Sequence, residues 1–397
     1  MSQAGTIPAN GSVRDPALGG RVQAVDLLRG LMVALMVLDH TREYFSAQAL
    51  QFDPMDVSKT TVSLFATRWV THLCAPTFVF LAGASVHLQR VAGKPEAALR
   101  RQLLMRGLWL ILLELTVIGF AFNFAEPFLF LQVIWAIGVG MVLLSVFSAL
   151  PQWVVGIVGL ASLALTPLLT PMLAPVMPAP LWHVILAPGP LAPLPGLAVY
   201  PIVPWFGILA VGYAAGPMLA CADAALRRRA LTAGIFLITS FALLRIAGIG
   251  DVRTGGVGPT IALRIVSHLD ISKYPPSLQY ASLTLGVSAL LLAALTRVPP
   301  SRLPMLHAFG SAPFFTYVLH IYLVHGLALA VGLALGVPAA AFAHFIEGTT
   351  ALRDGGWGFG LPVVYLVWLS VLLVLRPLAI RFAAVKRRRG RWWLSYL

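Results

Sequence analysis

Charged residues are scarce in this chain. Only 11% of its 397 residues are Asp, Glu, Lys or Arg, whereas 59% are hydrophobic. A soluble globular protein carries about 25% charged residues. This shortage of charge, together with apolar runs of about twenty residues, indicates a polytopic membrane protein. We therefore predict an all-α fold of about ten transmembrane helices.

Cysteines and several catalytic motifs are also few or missing. The two cysteines, Cys74 and Cys221, lie near opposite surfaces of the predicted topology, which argues against a disulfide or a metal–thiolate site. The sequence has no HExxH, paired CxxC or P-loop lysine motif, and no GxSxG nucleophile elbow. These absences argue against the enzyme classes that the motifs mark, and we expect no metal.

The apolar runs divide the chain into ten predicted spans. They lie approximately at residues 24–45, 69–88, 103–122, 128–148, 152–173, 199–220, 230–248, 277–296, 311–335 and 358–380. Lys and Arg concentrate in alternate connections, so the positive-inside rule predicts that both termini are cytoplasmic. The net charge of +14 then reflects membrane topology, and we expect no nucleic-acid partner.

The predicted domain organisation is simple. Residues 1–20 are polar and rich in Gly, Ala and Pro, without the apolar core of a signal peptide, and predict a flexible tail. Residues 21–385 form one ten-helix domain, and residues 386–397 form a basic cytoplasmic tail. The longer connections, such as the Pro-rich and irregular segment 174–198, fall on the outer side, where we expect the binding surface.

The first span carries the most informative residues. It contains Asp26, Arg29, Asp39 and His40, although ionisable side chains inside a membrane are expensive and mostly functional. Arg29 and His40 are eleven residues apart, which places them on one helix face, roughly 16 Å apart along the axis. An arginine near one surface and a histidine near the other predict chemistry that reaches across the bilayer.

Each of these side chains also has an ordinary explanation. His40 suits a general base, but it could be an interfacial histidine at a helix end. Adjacent helical residues do not face each other, so Asp39 is a poor partner for His40, and a carboxylate from another span would serve better. Arg29 has the planar fork that suits a phosphate; alternatively it pairs with Asp26 or extends to the membrane surface.

Other spans contribute further candidates. Arg68 and His72 are four residues apart, near the predicted depth of His40. Glu114 lies near the middle of the third span, where a carboxyl group must be protonated, paired or facing water. A hydrogen-bonded buried carboxyl group is an equally good explanation of Glu114.

Two candidate groups lie late in the chain. His320 and His325 are five residues apart, about 140° around a helix, which argues against a two-histidine metal site. We expect one of them to face the interior. Lys273 and Tyr274 precede the eighth span in an outer loop, where they could contact a polar acceptor or simply be solvated.

The first span resembles the signature of integral-membrane acyltransferases. Asp-Leu-Leu-Arg-Gly at 26–30 and the arginine–ten residues–histidine spacing resemble the acyltransferase-3 family. TRWVTHLCAPTFVFLAGAS at 67–85 is more similar to the heparan-α-glucosaminide N-acetyltransferase-like family, in particular its bacterial members. The resemblance covers about residues 21–330 and includes RGLWLILLEL at 106–115, LQVIWAIG at 131–138, YPIVPWFGILAVGYAAG at 200–216, KYPPSL at 273–278 and FGSAPFFTYVLHIYLVH at 309–325.

The resemblance implies a multi-pass acyltransferase of the bacterial inner membrane. Acetyl-CoA would enter from the cytoplasm, and the acetyl group would pass to an amino or hydroxyl group of a sugar or glycan on the periplasmic side. Arg29 would contact CoA, and His40 would act as base or acyl acceptor. The complete expectation is a catalytic set of His40, Asp39, His72 and Glu114, a CoA set of Arg29, Asp26 and Arg106, and a substrate set of Arg68, Lys273, Tyr274, His320 and His325.

The chain departs from the family in two places. The animal lysosomal enzymes have an asparagine at the position matching His40 and place their catalytic histidine in the following loop. Residues 46–68 contain no histidine here, so either His40 has taken that role or His72 supplies it. Ser311 stands where the family has a basic residue, which removes one cation that could contact CoA.

Two other functions fit parts of the pattern. Intramembrane Asp, Glu and His residues also mark a proton-coupled or lipid-linked transporter, although the sequence shows no inverted repeat. Four histidines, at positions 40, 72, 320 and 325, could ligate haem in an electron carrier. The sequence leaves the oligomeric state open, and a homodimer is an expectation without a motif behind it.

Overall fold

The computed structural model describes residues 23–125, 128–253, 255–343 and 345–388. The predicted N-terminal tail, and residues 389–397 of the predicted C-terminal tail, lie outside them. The helices are α1 (Gln23–Phe45), α2 (Ala47–Gln51), α3 (Val62–Thr71), α4 (Cys74–Val91), α5 (Glu96–Leu113), α6 (Gly119–Phe122), α7 (Val133–Phe147), α8 (Gln152–Leu173), α9 (Ala179–Ile185), α10 (Ile202–Ala214), α11 (Gly216–Leu219), α12 (Asp223–Ala247), α13 (Ile261–Val266), α14 (Leu278–Leu295), α15 (Pro304–Ser311), α16 (Pro313–Ala334), α17 (Ala340–Ala343), α18 (Phe345–Asp354) and α19 (Leu361–Arg388). A π-helical turn, Glu114–Ile118, joins α5 to α6.

Within these residues, seven helical segments are long and apolar enough to cross a membrane. They are Val62–Val91, Glu96–Phe122, Gln152–Leu173, Asp223–Ala247, Leu278–Leu295, Pro313–Ala334 and Leu361–Lys386. This composition is that of an all-α polytopic membrane protein. The other three predicted spans correspond to the shorter apolar helices α7 and α10, and to α1 with its extra charges. The count of ten spans stays a prediction.

Helix α1 lies at the centre of the molecule. Almost every one of its side chains is buried, because α15, α16, α19, α14 and α4 all pack around it. A helix that is buried all round sits in the core, whereas a helix at the lipid surface exposes apolar side chains. Helices α8 and α12 are of the second kind: Met172 and Ile246 are 68% and 85% exposed. Asp26, Asp39, His40 and Arg42 of α1 are therefore enclosed by protein.

Two glycines allow α1 to meet α15 at very close range. A Cβ atom at Gly30 would overlap the carbonyl oxygen of Leu306, and a Cβ atom at Gly310 would overlap the carbonyl oxygen of Asp26. Small residues at a contact let helix backbones approach each other in this way. The contact holds the Arg29 end of α1 against the start of α16.

Several predicted boundaries were wrong. The second span, predicted at 69–88, is two helices, since α3 ends at Thr71 and α4 begins at Cys74. Pro76 falls in the first turn of α4, where a missing N–H is tolerated. The fourth span, predicted from residue 128, begins only at Val133, because the residues before it form a strand.

That strand belongs to a small sheet that the sequence did not predict. Strand β1 (Leu129–Leu131) pairs in parallel with β3 (Gly196–Ala198), and β2 (Gly189–Pro190) pairs antiparallel with β3. Segment 174–198, predicted to be irregular, thus holds α9 and two strands. Hydropathy cannot separate an apolar strand from the first turn of an apolar helix when the partner strand is distant in sequence.

Candidate active site

A cavity of about 320 Å³ follows α1 from Arg29 to His40. Arg29, Arg106 and Lys386 line one end, which we call the cationic end. Asp39, His40, Thr71, Gln132, Tyr200 and Lys273 line the other, which we call the reaction end. The wall between them is mainly apolar, formed by residues such as Met36, Phe78, Leu110, Ile134, Ile137, Met141 and Phe314. This arrangement suits a long ligand with an anionic head.

His40 is paired with His320 of α16. The two side chains are buried and their rings are stacked with centroids 4.9 Å apart. His320 Nε2 lies 2.9 Å from His40 Nδ1, and His320 Nδ1 lies 3.2 Å from the carbonyl oxygen of Thr316. A carbonyl oxygen can only accept, so His320 carries its proton on Nδ1 and accepts the Nδ1–H of His40 at Nε2. His40 Nε2 is then left unprotonated, and among the described residues no hydrogen bond occupies it.

Asp39 does not orient His40, although it lies next to it in the chain. Its carboxylate accepts hydrogen bonds from Arg68 Nη1 at 2.7 and 2.8 Å, from Arg42 Nη2 at 3.0 Å and from Thr71 Oγ1 at 2.9 Å. Both arginines are almost entirely buried. Charges this deep are tolerated only when they are paired and hydrogen-bonded. We name these four residues the ion cluster.

The ion cluster divides two cavities. Asp39 lines the cavity described above, whereas Arg42 and Arg68 line a second cavity of about 360 Å³. The second cavity is more polar, and its wall also includes Glu43, Gln51 and Asp53. Only side chains therefore separate the space beside His40 from this second space, which we call the vestibule.

Lys273 enters the reaction end from the loop before α14. Its side chain is buried, with the residue only 6% exposed, and Nζ lies 5.0 Å from the ring centre of Tyr274. Asp251 fixes this loop, since its Oδ2 accepts from the backbone N–H of Ser272 at 2.9 Å and from Ser277 Oγ at 2.5 Å. The position of Lys273 is thus determined by a hydrogen-bonded loop.

Further polar contacts hold the same loop from the side facing away from the cavity. Arg253 Nη1 donates to Asp270 Oδ1 at 2.6 Å, and Arg245 donates to the carbonyl oxygens of Asp270 and Ser267. Burial raises the pKa of Asp270, and the nearby guanidinium of Arg253 opposes that rise. These contacts tie the segment before α14 to the end of α12.

Four other predicted site residues do not line the cavity. Glu114 is fully buried, and its Oε1 accepts the backbone N–H of Gln132 at 2.8 Å at the start of α7. His72 is buried in the break between α3 and α4, and its carbonyl oxygen accepts from Tyr280. His325 lies between the carbonyl oxygens of Ala121 and Phe342, each 2.7 Å away. Asp26 accepts from Arg29 Nη1 at 3.4 Å and supports its position. The contacts of Glu114, His325 and Asp26 are made by their side chains, whereas the contact of His72 is made by its backbone.

The cavity also includes residues that the sequence did not single out for it. They are Thr71, Cys74, Gln132, Tyr200 and Lys386. Thr71 lies three residues after Arg68, on the same helix face, and this spacing could have drawn attention to it. Lys386 stands at the start of the basic tail, but no local pattern distinguishes it from its basic neighbours.

Two of the four histidines considered as haem ligands, His40 and His320, face each other directly. His320 Nε2 and His40 Nδ1 lie 2.9 Å apart, within hydrogen-bond distance. No iron ion fits between two nitrogens this close. Across residues 23–125, 128–253, 255–343 and 345–388, no group of three or more His, Cys, Asp or Glu side chains could hold a metal ion. The two rings are held by a direct hydrogen bond.

Comparison with known families agrees with the geometry. The family model described as heparan-alpha-glucosaminide N-acetyltransferase, catalytic, matches residues 21–245, more than half of the chain. The match includes Arg29, Asp39, His40, Arg68 and Arg106, whereas Lys273 and His320 lie beyond it. A comparison with curated proteins gave no match. The chain therefore belongs to the heparan-α-glucosaminide N-acetyltransferase catalytic family, a family of membrane acetyltransferases.

Proposed function

We propose that this protein takes an acyl group, most simply acetyl, from cytoplasmic acyl-CoA and transfers it across the inner membrane to an amino or hydroxyl group of a periplasmic glycan-type acceptor. The observation that carries the proposal is the single cavity along α1, with three cations at one end and His40 at the other. The proposal includes ten spans, with the cationic end on the cytoplasmic side.

The donor would bind with its phosphates at the cationic end. Guanidinium and ammonium groups suit phosphate oxygens, and Arg29, Arg106 and Lys386 supply three of them. The distance from Arg29 to His40 is roughly 16 Å at 1.5 Å per helical residue. A slender arm of the donor, lying between the apolar walls of the cavity, would carry the thioester from the membrane surface to the reaction end.

His40 would act as the general base. Its unprotonated Nε2 faces the cavity, and its Nδ1–H is held by His320, so one tautomer is fixed before the acceptor arrives. Nε2 would take the proton from the attacking amino or hydroxyl group and return it to the departing CoA sulfur. Between the two histidines that the sequence left as alternatives, the geometry favours His40 over His72.

The acceptor would approach through the vestibule. Arg42, Glu43, Arg68 and Asp53 give this space donors and acceptors for a polar ligand. Since the ion cluster stands between the vestibule and His40, the acceptor group must pass beside Asp39. Positioning the acceptor and the thioester together in this enclosed space would supply much of the rate enhancement.

The first test is acetyl-CoA binding to the detergent-purified protein. We expect saturable binding by the wild type and weaker binding by Arg29→Ala, because a phosphate contact is lost. Arg302→Ala is the matched control, since this exposed arginine lies outside the cavity and should bind normally. No binding by well-folded wild type, retained turnover in His40→Ala, or substrate flux in proteoliposomes without CoA would contradict the proposal.

A further inference from the structure

Lys273 is a buried cation that has no direct ion-pair partner among the described residues. Its ammonium group faces the reaction end, and among the described residues it forms no hydrogen bond or ion pair. Asp39 is the only carboxylate among the described residues that line the cavity, and Arg68 occupies both of its oxygens. Burying an ammonium group costs several kcal/mol unless something compensates it. An anionic oxygen that forms in the cavity beside Lys273 would compensate this charge directly.

His40 and Lys273 line the same end of the cavity on different elements. His40 projects from α1, and Lys273 projects from the loop before α14, which Asp251 holds in place. A thioester carbonyl between the two side chains would have a base on the side of the incoming nucleophile and a cation near its oxygen.

We propose that Lys273 is a catalytic residue that stabilises the oxyanion of the tetrahedral intermediate. This inference rests on the proposed function. The nucleophile forms a bond to the thioester carbon while His40 Nε2 takes its proton, and the carbonyl π electrons move to the oxygen beside the Lys273 ammonium. The carbonyl then re-forms, the carbon–sulfur bond breaks, and the proton on His40 passes to the CoA sulfur.

A preorganised cation is well suited to this task. Charge develops on the carbonyl oxygen only as the reaction proceeds, so an ammonium group placed there lowers the barrier without tightening donor binding. Removing one such stabilising group from an acyl-transfer site lowers kcat about 100- to 1,000-fold. Recognition of an acidic group on the acceptor would instead change KM, and only for acidic acceptors.

The test uses acetyl-CoA with hydroxylamine, a small neutral nucleophile, and follows release of the CoA thiol. Lys273→Met keeps most of the side-chain volume and removes the charge, so we expect kcat to fall about 100- to 1,000-fold with unchanged acetyl-CoA binding. Lys273→Arg keeps the charge and should recover part of the rate. Lys59→Met, at an exposed lysine paired with Asp56, is the matched control and should behave as wild type.

Each other outcome would overturn the assignment. Normal kcat in folded Lys273→Met, or a loss seen only with acidic acceptors, would remove Lys273 from the chemical step. Equal loss of donor binding and turnover would make it a binding residue. If Lys273→Met does not fold, Lys273→Arg is compared with the uncharged Lys273→Gln. Equal activity of these two folded variants would also contradict the assignment. Absence of acetyl-CoA binding by wild type would overturn the proposed function itself.

Discussion

The reactive state of His40 depends on a residue far away in the chain. A histidine acts as a base only when one ring nitrogen is unprotonated, and the hydrogen bond at the other nitrogen decides which one. Here the carbonyl oxygen of Thr316 fixes His320, and His320 fixes His40. The neighbour in sequence, Asp39, is fully engaged in the ion cluster. In the proposed mechanism, His320 therefore positions His40 rather than binding the substrate.

Replacing His320 tests this positioning role. We expect His320→Ala to lower kcat about 10- to 100-fold, the range for partners that orient a functional histidine, with unchanged acetyl-CoA affinity. His320→Gln should retain more activity, since its side-chain oxygen can accept the Nδ1–H of His40. The measurement is single-turnover acyl transfer beside a donor-binding isotherm. The control is His268→Gln, at an exposed histidine away from the cavity, and full turnover in His320→Ala would contradict the assignment.

The sequence predicted site residues that lie on one helix better than contacts between residues of two helices. Arg29 and His40 were found because their spacing is a property of α1 alone. The partnership of His40 with His320 spans 280 positions, and no local pattern specifies it. The same holds for Lys386, whose approach to Arg29 depends on how α19 packs against α1.

At the scale of elements, the contact of α1 with α15 leaves no room for side chains. Gly310→Ala would force a methyl group into the backbone of α1 at Asp26, and overpacking of this kind costs about 1–3 kcal/mol. We expect a lower thermal unfolding midpoint for the detergent-purified variant. Because the same contact sets the position of Arg29, acetyl-CoA binding should weaken as well.

A second glycine gives the matched control for this prediction. Gly326 lies within α16, and a Cβ atom there would meet nothing within 4 Å. Alanine is favoured over glycine in a helix by up to about 1 kcal/mol, so Gly326→Ala should be as stable as wild type or slightly more so. Equal unfolding midpoints for Gly310→Ala and wild type would contradict the prediction, because α1 and α15 would then have moved apart without loss of stability.

Hydropathy predicted the apolar centres of the helices and failed at their ends. The polar starts of α5 and α12 contain charged residues, so the predicted spans began several residues too late. Hydropathy also did not predict the π-helical turn at Glu114. The turn begins at Glu114, whose side chain accepts a hydrogen bond from the backbone of Gln132 just before α7. This tertiary contact leaves no periodic signal in the sequence.

At the scale of the whole molecule, the loop charges predict which side each cavity faces. Two exposed positions test the orientation: Ser58, before α3 on the vestibule side, and Ser301, between α14 and α15 on the predicted cytoplasmic side. In a Cys221→Ser background, with Cys74 buried, we expect a membrane-impermeant maleimide to label Ser58→Cys in intact cells. Ser301→Cys should be labelled only after the membrane is opened. The reverse pattern would place the donor site outside the cell.

The ion cluster also bears on whether ions could pass between the cavity and the vestibule. A cavity from one membrane surface and a vestibule from the other would together make a path through the bilayer. If water filled it, such a path would discharge the proton gradient of the cell. Asp39 and Arg68, bonded through both carboxylate oxygens, close that path with paired charges that neither ions nor hydronium can easily displace. In the proposed function, this closure would let an acyl group pass from one compartment to the other while ions stay excluded.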